Sequence, residues 1–151
     1  MFESSLLTKL TADTELISYL STFTISGSTT PAIFANHAPE KAELPYLVFK
    51  ISQSSSNCLA VKEFNIFIDY YDKDDSESNS RKAVHRIEYL LDRAVLEHER
   101  YSYIRLFFFD GDSVEEDDPR AIHYNLQFSA RAGRKKWIDE HFETTTTTSG
   151  S

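Results

Sequence analysis

The residues best equipped for chemistry in this chain are five histidines, one cysteine and a run of carboxylates. His37, His85, His98, His123 and His141 fall on different predicted elements. No pair keeps the i, i+4 spacing that lets two imidazoles on one helix face share a metal ion. Cys58 stands alone, without a partner for an intramolecular disulfide or a C-x-x-C zinc pair, as suits a reducing compartment. Its place beside polar Asn57 at a strand start suits a bystander better than a nucleophile. No G-x-S-x-G elbow, P-loop or G-x-G-x-x-G occurs, and four glycines leave little material for a loop that cradles phosphate. These residues predict no catalytic, cofactor-binding or metal-binding role.

The strongest local charge is acidic. Asp110, Asp112, Glu115, Glu116, Asp117 and Asp118 occupy six of nine consecutive positions. Clustered carboxylates suit hard cations, but the spacing is not that of the twelve-residue calcium loop with its central glycine. A solvated hairpin tip, with Gly111 in the turn and Pro119 restarting the strand, accounts for the same composition. A second acidic group, Asp69, Asp72, Asp74 and Asp75, reads as the capped start of a helix. One basic cluster, Arg131, Arg134, Lys135 and Lys136, precedes Trp137. Exposed basic residues at a chain end usually only solvate it; in an oligomer they would meet the acidic loop of a neighbour, with Trp137, Ile138 and Phe142 as anchors.

The elements that must position these groups follow from apolar periodicity. Leu6, Leu7, Leu10, Ile17 and Leu20 place an amphipathic helix over residues 4 to 22, with a break around Thr11 to Thr14 left open. Ala32 to Ala35 suits a short strand, followed by a loop from Asn36 to Glu43. Pro45, which lacks an N–H, suits the start of a strand in which Leu47, Phe49 and Ile51 share one face. Val61 to Tyr71 alternates again, with Phe64, Ile66, Ile68 and Tyr70 on one side. Residues 81 to 96 repeat apolar positions at helical spacing, and Tyr101 to Phe109 with Ala121 to Arg131 complete a hairpin. The order αβββαββ predicts an α+β fold: a mainly antiparallel sheet of four to five strands with two helices packed on one face. One domain over 1–142 is expected, then a low-complexity tail over 143–151.

Two predicted strands carry large apolar groups on both faces, although helices on one side of a sheet cover only one. Either loops or the tail cover the second face, or it meets a partner, where Tyr and Phe are enriched. Phe67, Tyr71, Tyr101 and Tyr103 are the candidates for such an interface, with the basic cluster, Trp137 and Phe142. With 151 residues, a formal charge of -8 and 19 Phe and Tyr, the chain has the material for a core. It is also set to repel nucleic acid phosphates over most of its surface. The first residues lack the basic start and apolar stretch of a signal peptide, and no apolar run could span a bilayer.

The stretch Ile33-Phe34-Ala35-Asn36-His37-Ala38-Pro39-Glu40, followed by Leu44-Pro45-Tyr46-Leu47-Val48, resembles the core signature of a tail-completion family of long-tailed bacteriophages. The leucine helix at the N-terminus, the strand Phe64 to Tyr71, the helix Arg81 to Leu96 and the closing hairpin through Pro119 to Arg131 are similar to it in order. The acidic hairpin and the extension after Trp137 depart from its shorter members. This resemblance, to tail terminators, implies a virion structural protein without catalytic residues. Such a protein forms a ring, hexameric in the family, that caps the head-proximal end of the tail tube, stops its polymerisation and joins it to the head connector. The implied partners are further copies of the chain, the tail tube protein and the connector protein, with assembly in the host cytoplasm and no membrane. On that reading the six carboxylates would line a channel through which DNA passes without sticking. Another neck ring protein, or a monomeric adaptor using the aromatic sheet face, is the alternative.

Overall fold

A computed structural model of the chain describes residues 2–54, 60–73, 77–118 and 120–135. Cys58, Asp74, Asp75, Pro119, Lys136, Trp137, Ile138, His141, Phe142 and the expected tail all lie outside them. The N-terminal apolar stripe forms two helices rather than one, α1 (Glu3–Thr11) and α2 (Thr14–Ser18). The break falls where an aspartate competes for the backbone: Asp13 leaves helical geometry, and its carboxylate caps α2 by accepting the Leu16 N–H at 3.0 Å. Phe2, Leu6 and Leu10, four residues apart, are fully buried on one face of α1.

A two-stranded hairpin follows, β1 (Thr22–Ile25) and β2 (Ser28–Pro31), turning at Ser26 and Gly27, both with positive φ. Its Ser- and Thr-rich sequence lacks the apolar alternation that announces a strand, and it was expected only as the end of the helix. The main sheet contains β3 (Ile33–Ala35), β4 (Tyr46–Gln53), β5 (Val61–Lys73), β6 (Val95–His98), β7 (Tyr101–Ser113) and β8 (Ala121–Arg134). Spatially the order is β3-β4-β5-β8-β7-β6, antiparallel except for the β3–β4 pair. The α+β class is therefore as expected, but among the described residues the sheet has six strands instead of four to five, and there are three helices instead of two.

The third helix, α3 (Glu77–Leu91), buries Ala83, Ile87 and Leu91 at successive turns. It was expected to continue to Leu96. Arg93 adopts φ 63°, a left-handed turn that ends the helix, and its N–H donates to the Leu106 carbonyl at 2.8 Å. Val95 and Leu96 continue the apolar rhythm but belong to edge strand β6, where Leu96 opposite Ile104 faces the core. A short apolar pair after a helix reads the same in either state.

The core lies between the helices and one sheet face. Leu47, Phe49 and Ile51 from β4, Phe64, Ile66, Ile68 and Tyr70 from β5, Leu126, Phe128, Ala130 and Ala132 from β8, and Ile104 and Leu106 from β7 are all buried there. The alternation of these strands sends the intervening residues to the opposite, open face.

Candidate functional site

The open face carries the chemistry. At one end a row of aromatic rings crosses the sheet from the small hairpin to β8. Phe23 meets Phe34 edge-on with centroids 5.2 Å apart, Phe34 meets Tyr46 at 6.1 Å, and Tyr46 lies 5.1 Å from Tyr71. Tyr71 stacks on the His123 imidazole at 4.2 Å. Strand pairing builds the row, because Tyr46 is opposite Tyr71 and Tyr71 is opposite His123. Burial, then the charge of Asp69, the neighbouring Tyr46 and Glu116, pushes the Tyr71 phenol up to about 12. Burial and Glu116 raise Tyr46 in the same direction.

His123 ends the row between two carboxylates. One Asp69 oxygen lies 2.7 Å from Nε2 and a Glu116 oxygen 2.6 Å from Nδ1, and Asn125 donates to Asp69 at 2.9 Å. Both ring nitrogens are thus turned to acidic side chains rather than to an open space, so the arrangement ties the hairpin to the sheet instead of offering a base to a substrate. Among the described residues no group of three or more His, Cys, Asp or Glu is placed to hold a metal ion.

The opposite end of this face is a groove of about 470 Å³ lined by Val95, Tyr103, Arg105, Phe107 and Arg131. Val95, Tyr103 and Phe107 are exposed. Arg105 sits directly opposite both Val95 and Arg131, and Arg131 opposite Glu63, whose carboxylate is 3.5 Å away. Two arginines therefore stand on neighbouring strands, with one exposed carboxylate, Glu63, on the far side of Arg131, a locally cationic, half-apolar surface.

Beside the aromatic row, at the end away from the groove, the β7–β8 hairpin projects its acidic residues. Asp110 and Asp112, expected in a loop, lie on β7, which runs on to Ser113; each turns its carboxylate back to the next backbone N–H, at 2.8 Å. Asp118 pairs with Arg120, whose backbone and side chain hold its carboxyl below the usual carboxylate range. Glu116 folds back to His123, while Glu115 and Asp117 are exposed.

Phe67, Tyr71, Tyr103 and Arg131 lie on the open face, and Arg134 and Lys135 at the end of β8 beside it. Tyr101 does not. A register irregularity between Tyr101 and Tyr103 turns Tyr101 to the core side, where it meets Phe2 and Phe64 edge-on at 6.5 and 5.9 Å. A second irregularity, between Phe108 and Asp110, leaves Phe109 unpaired and 69% exposed. Sequence reading missed the clamp of Asp69, His123 and Glu116, and the contribution of Val95, Arg105 and Phe107 to the groove. The alternation of β5 and β8 places Asp69 and His123 outward, but only the strand register shows that they meet.

Comparison with known proteins agrees with the resemblance in the sequence. A model of the family described as tail completion protein gp17 matches residues 4–133. No curated protein matches. Among solved structures, a chain from the virion of a native gene transfer agent particle has the same fold, with a TM-score of 0.68 and 16% identity over 87% of this chain and 94% of that one. The match covers both the sheet and the helices that define its open face: the chain belongs to the tail completion protein gp17 family, structural proteins of bacteriophage virion tails.

Proposed function

We propose that this protein assembles into a homo-oligomeric ring, hexameric as in the tail terminators it resembles, at the head-proximal end of a tail tube. There it ends tube polymerisation and joins the tube to the head connector. The observation that carries this reading is the open sheet face. Helices cover one side of the sheet, while the other offers Phe67, Tyr71, Tyr103, Phe107 and Phe109 with arginines among them, the residue types that anchor protein interfaces. The acidic hairpin supports the second half of the reading. Repeated around a ring, its carboxylates give a negative surface that DNA passes without adhering.

Light scattering over a concentration series, with negative-stain imaging of the protein alone and on purified tail tubes, tests the assembly. A closed ring in either setting is the expected result. A strict monomer in both overturns it and favours a monomeric adaptor that uses the same face.

A further inference from the structure

The geometry points to an occupant for the cationic groove: residues Trp137 to Glu143 of the same chain, seated on Val95, Tyr103 and Phe107 between Arg105 and Arg131. Three observations lead there. The first is where the described chain ends. Gly133 is paired with Tyr103 at the head of the groove, and the Lys135 N–H donates to the Arg100 carbonyl at 3.2 Å. Trp137 follows two residues later, a reach of about 7 Å at full extension.

The second is composition. The segment reads Trp-Ile-Asp-Glu-His-Phe-Glu, three large apolar groups interleaved with three carboxylates. The groove presents the complement, exposed apolar side chains flanked by two guanidinium groups. The third is local charge. Arg105 and Arg131 face each other across β7 and β8, and among the described residues only Arg131 has a carboxylate partner, Glu63. In a chain of net charge -8 this is a cationic spot that an acidic segment would neutralise. A tether this short presents the segment at an effective concentration of the order of millimolar, so its own subunit competes well against neighbours for it.

Trp137 is the only tryptophan in the chain, so its fluorescence reports the seat directly. In the full-length protein, diluted until light scattering gives a monomer, we expect blue-shifted emission and weak quenching by acrylamide. Arg105→Glu should shift emission to the red and raise quenching several-fold while far-UV circular dichroism stays unchanged. Adding Asp139→Lys, Glu140→Lys and Glu143→Lys to Arg105→Glu should restore protection. The three lysine changes alone, which leave every described strand untouched, should lose it, and they carry the test if Arg105→Glu fails to fold. Protection that appears only in the oligomer would overturn the proposal by placing the segment on a neighbour. Protection indifferent to Arg105→Glu, or a solvent-like tryptophan at every concentration, would overturn it as well. Ring closure is read separately by mass and imaging, so failure of either idea leaves the other testable.

Discussion

Asp72 is 2% exposed, and its carboxylate accepts from the Tyr70 hydroxyl and the Ser80 hydroxyl at 2.9 Å each and from the Lys73 N–H at 2.7 Å. It ties the end of β5 to the first turn of α3 through the Ser80 hydroxyl. Asp72→Ala removes the carboxylate that accepts from both buried hydroxyls and should cost about 2–3 kcal/mol in denaturant unfolding. Asp13 plays a similar part elsewhere: besides capping α2, it takes Arg86 from α3 through two bonds of 2.7 and 2.8 Å. The Arg86 guanidinium holds the Asp13 carboxyl below its usual range, outweighing the opposing effect of burial. A depressed carboxyl stabilises the fold above its unfolded value, near 4, and this contribution is lost as pH falls through the folded value. Unfolding free energy should thus fall below about pH 4 in the parent, and less so in Asp13→Asn, which is weaker at neutral pH by about 1 kcal/mol. Tyr71 titrates in the opposite sense. Its phenol stays neutral in the fold after it would ionise in the unfolded chain, so stability should decline between about pH 10 and 12. Tyr71→Phe should flatten that decline in an alkaline series followed by circular dichroism.

Among the elements, the long β7–β8 hairpin depends on one small residue. Gly111 faces inward opposite Leu126, and a Cβ there would approach Leu126 Cδ2 to 2.5 Å and the Phe108 ring to 3.3 Å. Leu126 is buried and cannot swing freely. Gly111→Ala should therefore destabilise the protein by about 1–2 kcal/mol, measured by thermal or denaturant unfolding, although alanine is otherwise tolerated in strands. The bulge before Gly111 also moves Asp110 onto the open face, so hairpin packing and the placement of charge are coupled. Strand β6 shows the same coupling at the other edge. By ending α3 at Arg93, the chain delivers Val95 to the groove and Leu96 to the core from neighbouring positions.

For the whole molecule, the acidic hairpin and the cationic groove occupy different parts of one sheet face, which gives that face a polarity of charge. Charge reversal at Asp112, Glu115 and Asp117 removes exposed negative groups without touching the core, so folding should be unchanged. On the ring reading, tails carrying Asp112→Lys, Glu115→Lys and Asp117→Lys should join heads poorly or pass DNA poorly, scored as a loss of infectivity. Infectivity equal to the parent would sink the channel assignment. The clamp at His123 is retained in this variant, because Glu116 is unaltered.

Periodicity by itself determined the strands β4, β5 and β8, most of α3 and the inward residues of each, because alternate burial leaves a direct mark on the order of apolar side chains. The short motifs around Ala38-Pro39 and Pro45-Tyr46 likewise carried the family resemblance. The β1–β2 hairpin and β6 were not legible: one lacks an apolar face, and the other continues the rhythm of the preceding helix. Tertiary structure alone decided which side of the sheet the helices cover, where the bulges turn Tyr101 inward and Phe109 outward, and which distant residues meet. Asp69, Glu116 and His123 converge, as do Val95, Arg105 and Arg131, because strand register sets cross-strand neighbours. A shift of one residue reverses every side chain, and no local sequence pattern records that choice.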